Sequence, residues 1–344
     1  MTGRDLERAR LLLCRLQDCI RQTLAAARRH QSRNFAKVAA VTAADTIYHV
    51  DRLSEDAILD WFAAHWPKAW PVELVMEGLE DRGAVTFPAG TPVTRTICKC
   101  IIDPIDGTRN LMYDKRSAWI LAALAPQRGR RTHLGDVVVA AMTELPTSKQ
   151  WRADQFSAVR GQGMKAMAVN ILTGARRPFR PAPSQERDCR GGFAGLVKFF
   201  PEGKALTARI EEELWDRLYG LNRQASPLVF DDQYISTGGQ LYELIAGHDR
   251  FIADLRPLVF AKIGFTAPLV CHPYDICTAL IAREAGCVVE DPLGGDLRQP
   301  LDTTSAVAWV GYANAALARH IRAVLRRILR ASLGPGVAAN ALPS

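Results

Sequence analysis

The chain has 344 residues, of which 48% are hydrophobic and 23% charged, with a net charge of +8 and eight cysteines. That length carries one large domain or two smaller ones, and the composition is that of a folded soluble protein. The positive excess lies mainly at the ends, in residues 4–33 and 319–330. It therefore marks no central basic groove, and no nucleic-acid partner is expected. No Cys-x-x-Cys occurs, and several cysteines sit in apolar runs, as free thiols in a reducing compartment do. The sequence shows no secretory leader and no apolar stretch of about 20 residues, so a cytoplasmic protein without a membrane span is expected.

In chain order, residues 4–29 repeat Leu6, Leu13, Leu16, Ile20 and Leu24 at helical spacing, which predicts an amphipathic surface helix. "TAADTIYHVDRLSEDAILDWFAAHW" predicts a second helix with Asp45 near its start. "VELVMEGLE" is a strand leading to Glu77, and "TRTICKCIID" a strand ending at Asp103. "SAWILAALA" and "GDVVVAAMTE" follow as strands, then a hairpin over "QWRADQFSAVRGQGMKAMAV". The Pro-, Arg- and Gly-rich residues 172–192 read as a link between two halves, 1–175 and 176–331, with 332–344 as a disordered tail. The second half predicts a strand at "GGFAGLVKFF", a helix over Ala205–Leu221 and another after "STGGQLYELIAG". A strand at "RFIADL", a helix over Ile276–Glu284, strands at "CVVEDP" and "AVAWVGY", and a basic closing helix complete it. Strands mixed with helices in this way indicate an α/β or layered α+β protein.

The stretch "DPIDGTRN" at residues 103–110 concentrates the chemistry. With a strand ending at Asp103 and a turn at Pro104, Asp103 and Asp106 converge on one point. Two carboxylates and the Ile105 carbonyl suit a hard cation such as Mg2+. Gly107 leaves room for a phosphate against the backbone, and a helix starting near Thr108 turns free N–H groups toward it. The Thr108 hydroxyl can orient a water. A bare D-P-x-D-G is also an ordinary β-turn with Pro at its second position.

The full string resembles the signature of the inositol monophosphatase superfamily, Mg2+-dependent and lithium-sensitive phosphatases that include fructose-1,6-bisphosphatases and 3'(2'),5'-bisphosphate nucleotidases. Further segments resemble the family in order along residues 35–315. "AAVTAADTIY" places Asp45 as the partner of the motif threonine. "LVMEGLED" places Glu77 as a metal ligand, but Gly78 stands where a second glutamate is usual. "HPYDICTALIAREAGCVVEDPLGG" supplies Asp275 from the second half, with Tyr274 in place of a tryptophan. The resemblance implies an alternating α-β-α-β-α sandwich. It implies one Mg2+ on Glu77, Asp103 and the Ile105 carbonyl, and a second on Asp103, Asp106 and Asp275. Thr108 with Asp45 would orient the attacking water. Asp106, Gly107, Thr108, Ser236, Thr237 and Asp275 would contact a small phosphorylated substrate. The implied activity is hydrolysis of a small phosphate monoester such as a sugar or inositol phosphate. The alternatives are a nucleotidase or sugar bisphosphatase, and a catalytically impaired phosphate-binding relative, which Gly78 motivates.

Three further features are read from the residues. Ser236 or Thr237 fits a helix N-cap equally well. The apolar segment 255–271 fits a lid, added core or an oligomer contact, and the resemblance implies Asp254 before it as a candidate for binding a substrate hydroxyl. Leu317, Ile321, Val324, Leu325, Ile328 and Leu329 line one face of the closing helix, which docks on the body or in a homodimer.

Overall fold

A computed structural model describes residues 1–30, 38–41, 46–79, 82–221, 227–266 and 269–334 of the chain. Asp45 and the predicted tail from residue 335 onward lie outside the described residues.

The strands fall into two larger sheets and a small hairpin. The hairpin pairs β1 (Val38–Val41) with β2 (Thr46–Tyr48). The first large sheet has eight strands: β3 (Val72–Met76), β4 (Val85–Phe87), β5 (Cys98–Asp106), β6 (Ala118–Pro126), β7 (Val139–Leu145), β8 (Arg152–Val159), β9 (Met164–Asn170) and β10 (Arg176–Phe179). Their spatial order is β10-β9-β8-β7-β6-β5-β3-β4, antiparallel throughout except for the parallel pair β3–β5. β10 pairs with β9, so residues 176–179 of the predicted link extend this first sheet. The second sheet holds β11 (Gly192–Leu196), β12 (Val229–Phe230), β13 (Asp249–Asp254), β14 (Val288–Glu290) and β15 (Trp309–Tyr312), in the order β12-β11-β13-β15-β14.

Side-chain alternation sets the layers, because successive residues of a strand face opposite sides of its sheet. On β6, Ala118, Ile120, Ala122 and Leu124 pack with helices α1 (Gly3–His30) and α2 (His49–His65). The intervening Trp119, Leu121, Ala123 and Ala125 face the other way. There they meet α5 (Thr237–Ala246), α7 (Pro273–Ile276) and α8 (Ala279–Glu284), which fill the space between the two sheets. Beyond the second sheet lie α4 (Lys204–Tyr219) and the closing helix α9 (Ala315–Leu333), packed on each other. The order is thus helix, sheet, helix, sheet, helix. A strand covered on both faces reads as a continuous apolar run, as "AWILAALA" does. Two short elements remain, α3 (Thr108–Met112) and α6 (Arg256–Ile263).

Several boundaries differ from the sequence reading. The second helix starts at His49, after strand β2. The single helix expected over Ile276–Glu284 is two, α7 and α8, with Thr278 between them. The closing helix runs through Leu333, which is buried, so Ser332 and Leu333 are helical and not tail. Segment 255–271 begins as α6, whose Leu258, Val259 and Phe260 are buried in the main core. Seven of the eight cysteines are buried and free, and only Cys19 is exposed.

Candidate metal centre

The central strand β5 does not end at Asp103. It continues through Asp106 with an irregularity: Asp103 pairs with Leu121 and Asp106 with Trp119, so three steps on β5 oppose two on β6. The feature that brings the two aspartates together is therefore a β-bulge, not the turn expected at Pro104. An extra residue re-aims the side chains that flank it. Asp103 Oδ1 accepts the Ile105 N–H at 2.9 Å inside the bulge. Gly107 then reverses the chain at φ +87°. A Cβ there would lie 2.9 Å from Ser236 Cβ and 3.0 Å from the Ile235 carbonyl, so glycine is required by both conformation and space. The Thr108 hydroxyl donates to the Ile105 carbonyl at 2.9 Å.

Asp275 arrives from the second half on the four-residue helix α7. Its Oδ2 accepts the His272 N–H at 2.6 Å, the N-terminal hydrogen bond of that helix. One oxygen each from Asp103, Asp106 and Asp275 lie within 4.8 Å of one another. Asp103 and Asp106 are buried, and Asp275 is partly so. Glu77 stands beside this trio. Its N–H donates to the Ile102 carbonyl at 3.4 Å, which carries the β3–β5 pairing one residue past Met76.

The electrostatics record this crowding. Burial pushes the Asp103 carboxyl well above the usual range, and the charges of Glu77, Asp106 and Asp275 push it further. Burial and the Asp275 charge raise Asp106 to about 7, although three hydrogen bonds pull the other way. Those bonds come from the start of α5: Ser236 Oγ to Oδ2 at 2.7 Å, Gly238 N to Oδ2 at 2.5 Å and Thr237 N to Oδ1 at 3.2 Å. Ser236 also caps the helix, its Oγ accepting the Gly239 N–H at 2.9 Å. The N-cap reading of Ser236 thus holds, and Ser236 and Thr237 both reach Asp106. A small hard cation fits the set, because every donor is an oxygen and the buried like charges repel without one.

Asp254 sits elsewhere in function. It is fully buried, and Arg256 grips both of its oxygens, Nη2 to Oδ2 at 2.6 Å and Nε to Oδ1 at 2.9 Å. The guanidinium also donates to the Leu269 carbonyl at 3.0 Å and lies over the Phe199 ring at 4.7 Å. Both carboxylate oxygens are thus spent on an internal ion pair, and Asp254 is not presented to a substrate hydroxyl.

No protein-family model and no curated protein matches the chain. Among solved structures it is similar to the extragenic suppressor protein suhB from Bartonella henselae, at 19% identity and a TM-score of 0.61, over 95% of this chain and 98% of that one. It is also similar to Leishmania major fructose-1,6-bisphosphatase, at 14% identity and a TM-score of 0.62, over 93% of each chain. This is the inositol monophosphatase fold. The five alternating layers expected from the resemblance are present. In this inositol monophosphatase fold the trio sits where the first sheet meets the layer of helices between the sheets, with Asp103 and Asp106 on a strand and Asp275 on a helix.

Sequence reasoning did not find the support around the trio. The donors to Asp106 lie about 130 residues away from it along the chain, and no local pattern reports them. The same holds for the Trp119 indole, which donates to the Tyr234 hydroxyl at 3.1 Å, and for that hydroxyl, which donates to the Ser117 carbonyl at 2.8 Å. These two bonds tie the loop before α5 to β6, and so fix the donors to Asp106.

Proposed function

We propose that the chain is a Mg2+-dependent phosphatase acting on a small phosphate monoester of the sugar or inositol phosphate class. One observation carries the reading: one oxygen from each of three carboxylates, drawn from two distant parts of the chain, lies within 4.8 Å of the others at the end of strand β5. Glu77, Asp103 and the Ile105 carbonyl would hold one ion, and Asp103, Asp106 and Asp275 a second. Bound there, Mg2+ would polarise phosphoryl oxygens and lower the pKa of a water.

The residues themselves then do three things. Asp103 and Asp106, fixed by the bulge and by the three donors from α5, form a rigid negative wall that accepts cations without rearrangement. Gly107 reverses the chain at φ +87° and lets Ser236 and the Ile235 carbonyl pack against it, which holds the start of α5 beside Asp106. Thr108 Oγ1, while donating to Ile105 O, retains acceptor capacity for a water proton and can aim that water's lone pair at phosphorus. In-line attack forms the new P–O bond as the ester P–O bond breaks, and the departing alkoxide takes up a proton.

The test is inorganic phosphate release from a panel of sugar, inositol and nucleotide phosphates with Mg2+. Turnover of at least one sugar or inositol phosphate, inhibited by Li+, is expected. No release from any ester with Mg2+ or Mn2+ would sink the reading. Preferred turnover of a bisphosphate nucleotide would move the substrate class and leave the metal chemistry.

A further inference from the structure

The turn that carries Glu77 is braced from a distant helix. Residues Met76–Leu79 form a turn closed by the Leu79 N–H donating to the Met76 carbonyl at 3.2 Å. Gly78, third in that turn, has φ +87°, the conformation that the third position of a type II turn requires. Glu55, on α2, lays its carboxylate against this glycine. A Cβ built on Gly78 would lie 2.4 Å from Glu55 Oε1 and 2.7 Å from its Cδ. No real Cβ comes so close, so the Glu55 carboxylate occupies the space into which a side chain at 78 would project. The backbone conformation favours glycine at a position where the resemblance leads one to expect glutamate, and the space a side chain would take there is held by the Glu55 carboxylate.

Glu77 is the residue this turn presents. Its backbone is tied to β5 through the Ile102 carbonyl, one residue before Asp103. Asp103 is the next residue of β5, so the turn sets where Glu77 stands relative to Asp103.

We propose that Glu55 is a positioning residue of the metal centre: its carboxylate braces the Met76–Leu79 turn at Gly78 and fixes the direction in which Glu77 faces Asp103. The proposal rests on the reading of Glu77 and Asp103 as cation ligands given above. Glu55 itself touches no substrate. It acts on cation affinity through the turn, as groups behind metal ligands do. It also follows that a glutamate introduced at 78 does not add a ligand. It pushes the Glu55 carboxylate off the turn and strains the backbone at φ +87°, so the brace is lost.

The test is Mn2+ titration of the full chain followed by electron paramagnetic resonance, with thermal unfolding measured beside it. Glu55→Ala should weaken Mn2+ binding by about 10–100-fold. Glu55→Gln, which keeps the shape that fills the space at Gly78, should restore most of that affinity. Activity of Glu55→Ala should recover at saturating Mg2+, a split that general loss of folding does not produce. Gly78→Glu should bind Mn2+ more weakly than the wild type. Unchanged Mn2+ affinity in Glu55→Ala would overturn the proposal, as would a gain of affinity in Gly78→Glu or a loss of turnover that neither saturating Mg2+ nor Glu55→Gln repairs. A wild-type chain that binds no Mn2+ would overturn the metal-centre reading itself, an outcome distinct from these.

Discussion

Replacing Asp106 by asparagine should stabilise the metal-free protein while removing its activity. Asp106 is buried, and its carboxyl is raised from an ordinary value of 3.8 to about 7 by burial and by the Asp275 charge. A carboxyl whose proton is held more tightly in the folded chain supports folding fully below pH 3.8. That support is lost as pH rises through about 7. The difference corresponds to about 4 kcal/mol against the charged form in the absence of a cation. Asparagine removes that charge. Its Oδ1 can keep the bonds from Ser236 and Gly238, but its amide then opposes the Thr237 N–H, which costs about 1–2 kcal/mol. The net gain is about 2–3 kcal/mol at pH 8. Urea unfolding in EDTA at pH 8 should therefore show the variant unfolding at higher urea, with the gap closing toward pH 4. Added Mg2+ should stabilise the wild type more than the variant. An Asp106→Asn protein that unfolds at the same or lower urea at pH 8 would refute the reasoning, since the hydrogen bonds would then outweigh the desolvated charge.

Three further outcomes are expected. Gly107→Ala places a Cβ 2.9 Å from Ser236 Cβ in a left-handed conformation, so it should destabilise the fold by more than about 1 kcal/mol and abolish phosphate release. Differential scanning calorimetry and a phosphate assay read the two effects. Arg256→Met leaves the Asp254 carboxylate buried and unpaired, a loss of about 3–5 kcal/mol in chemical unfolding, and adding Asp254→Asn should recover much of it. Thr108→Ala should lower kcat by about 100-fold or more in a phosphate assay, because its hydroxyl, held by Ile105 O, is placed to handle a water proton.

The residues of the candidate metal centre were legible where they follow one another in the chain. "DPIDGTRN" pointed to Asp103, Asp106 and Thr108, and "HPYDICTALIAREAGCVVEDPLGG" pointed to Asp275, which the structure brings to Asp103 and Asp106. Strand β6 was readable because both of its faces are covered, so its sequence is an apolar run, and β5 because of its apolar and β-branched residues before Asp103. What could not be read was contact made across the fold. The bulge between Asp103 and Asp106 depends on its pairing with β6, and a single strand does not encode that register. The ion pair of Asp254 with Arg256 lies only two residues apart, yet the sequence did not say that both are buried against Phe199. Gly78 shows the same limit from the other side. In the sequence it is a missing glutamate, and in the structure it is the gap that Glu55 fills.

The central claim is that carboxylates from both halves of the chain form one cation-dependent phosphatase centre. It is tested most directly by phosphate release with Mg2+ from the wild type and from Asp275→Asn, a change that keeps the acceptor for the His272 N–H. The account predicts turnover in the wild type, its loss in EDTA, and its loss in a still-folded Asp275→Asn protein. Turnover that survives EDTA, or that the Asp275→Asn protein matches, would contradict it.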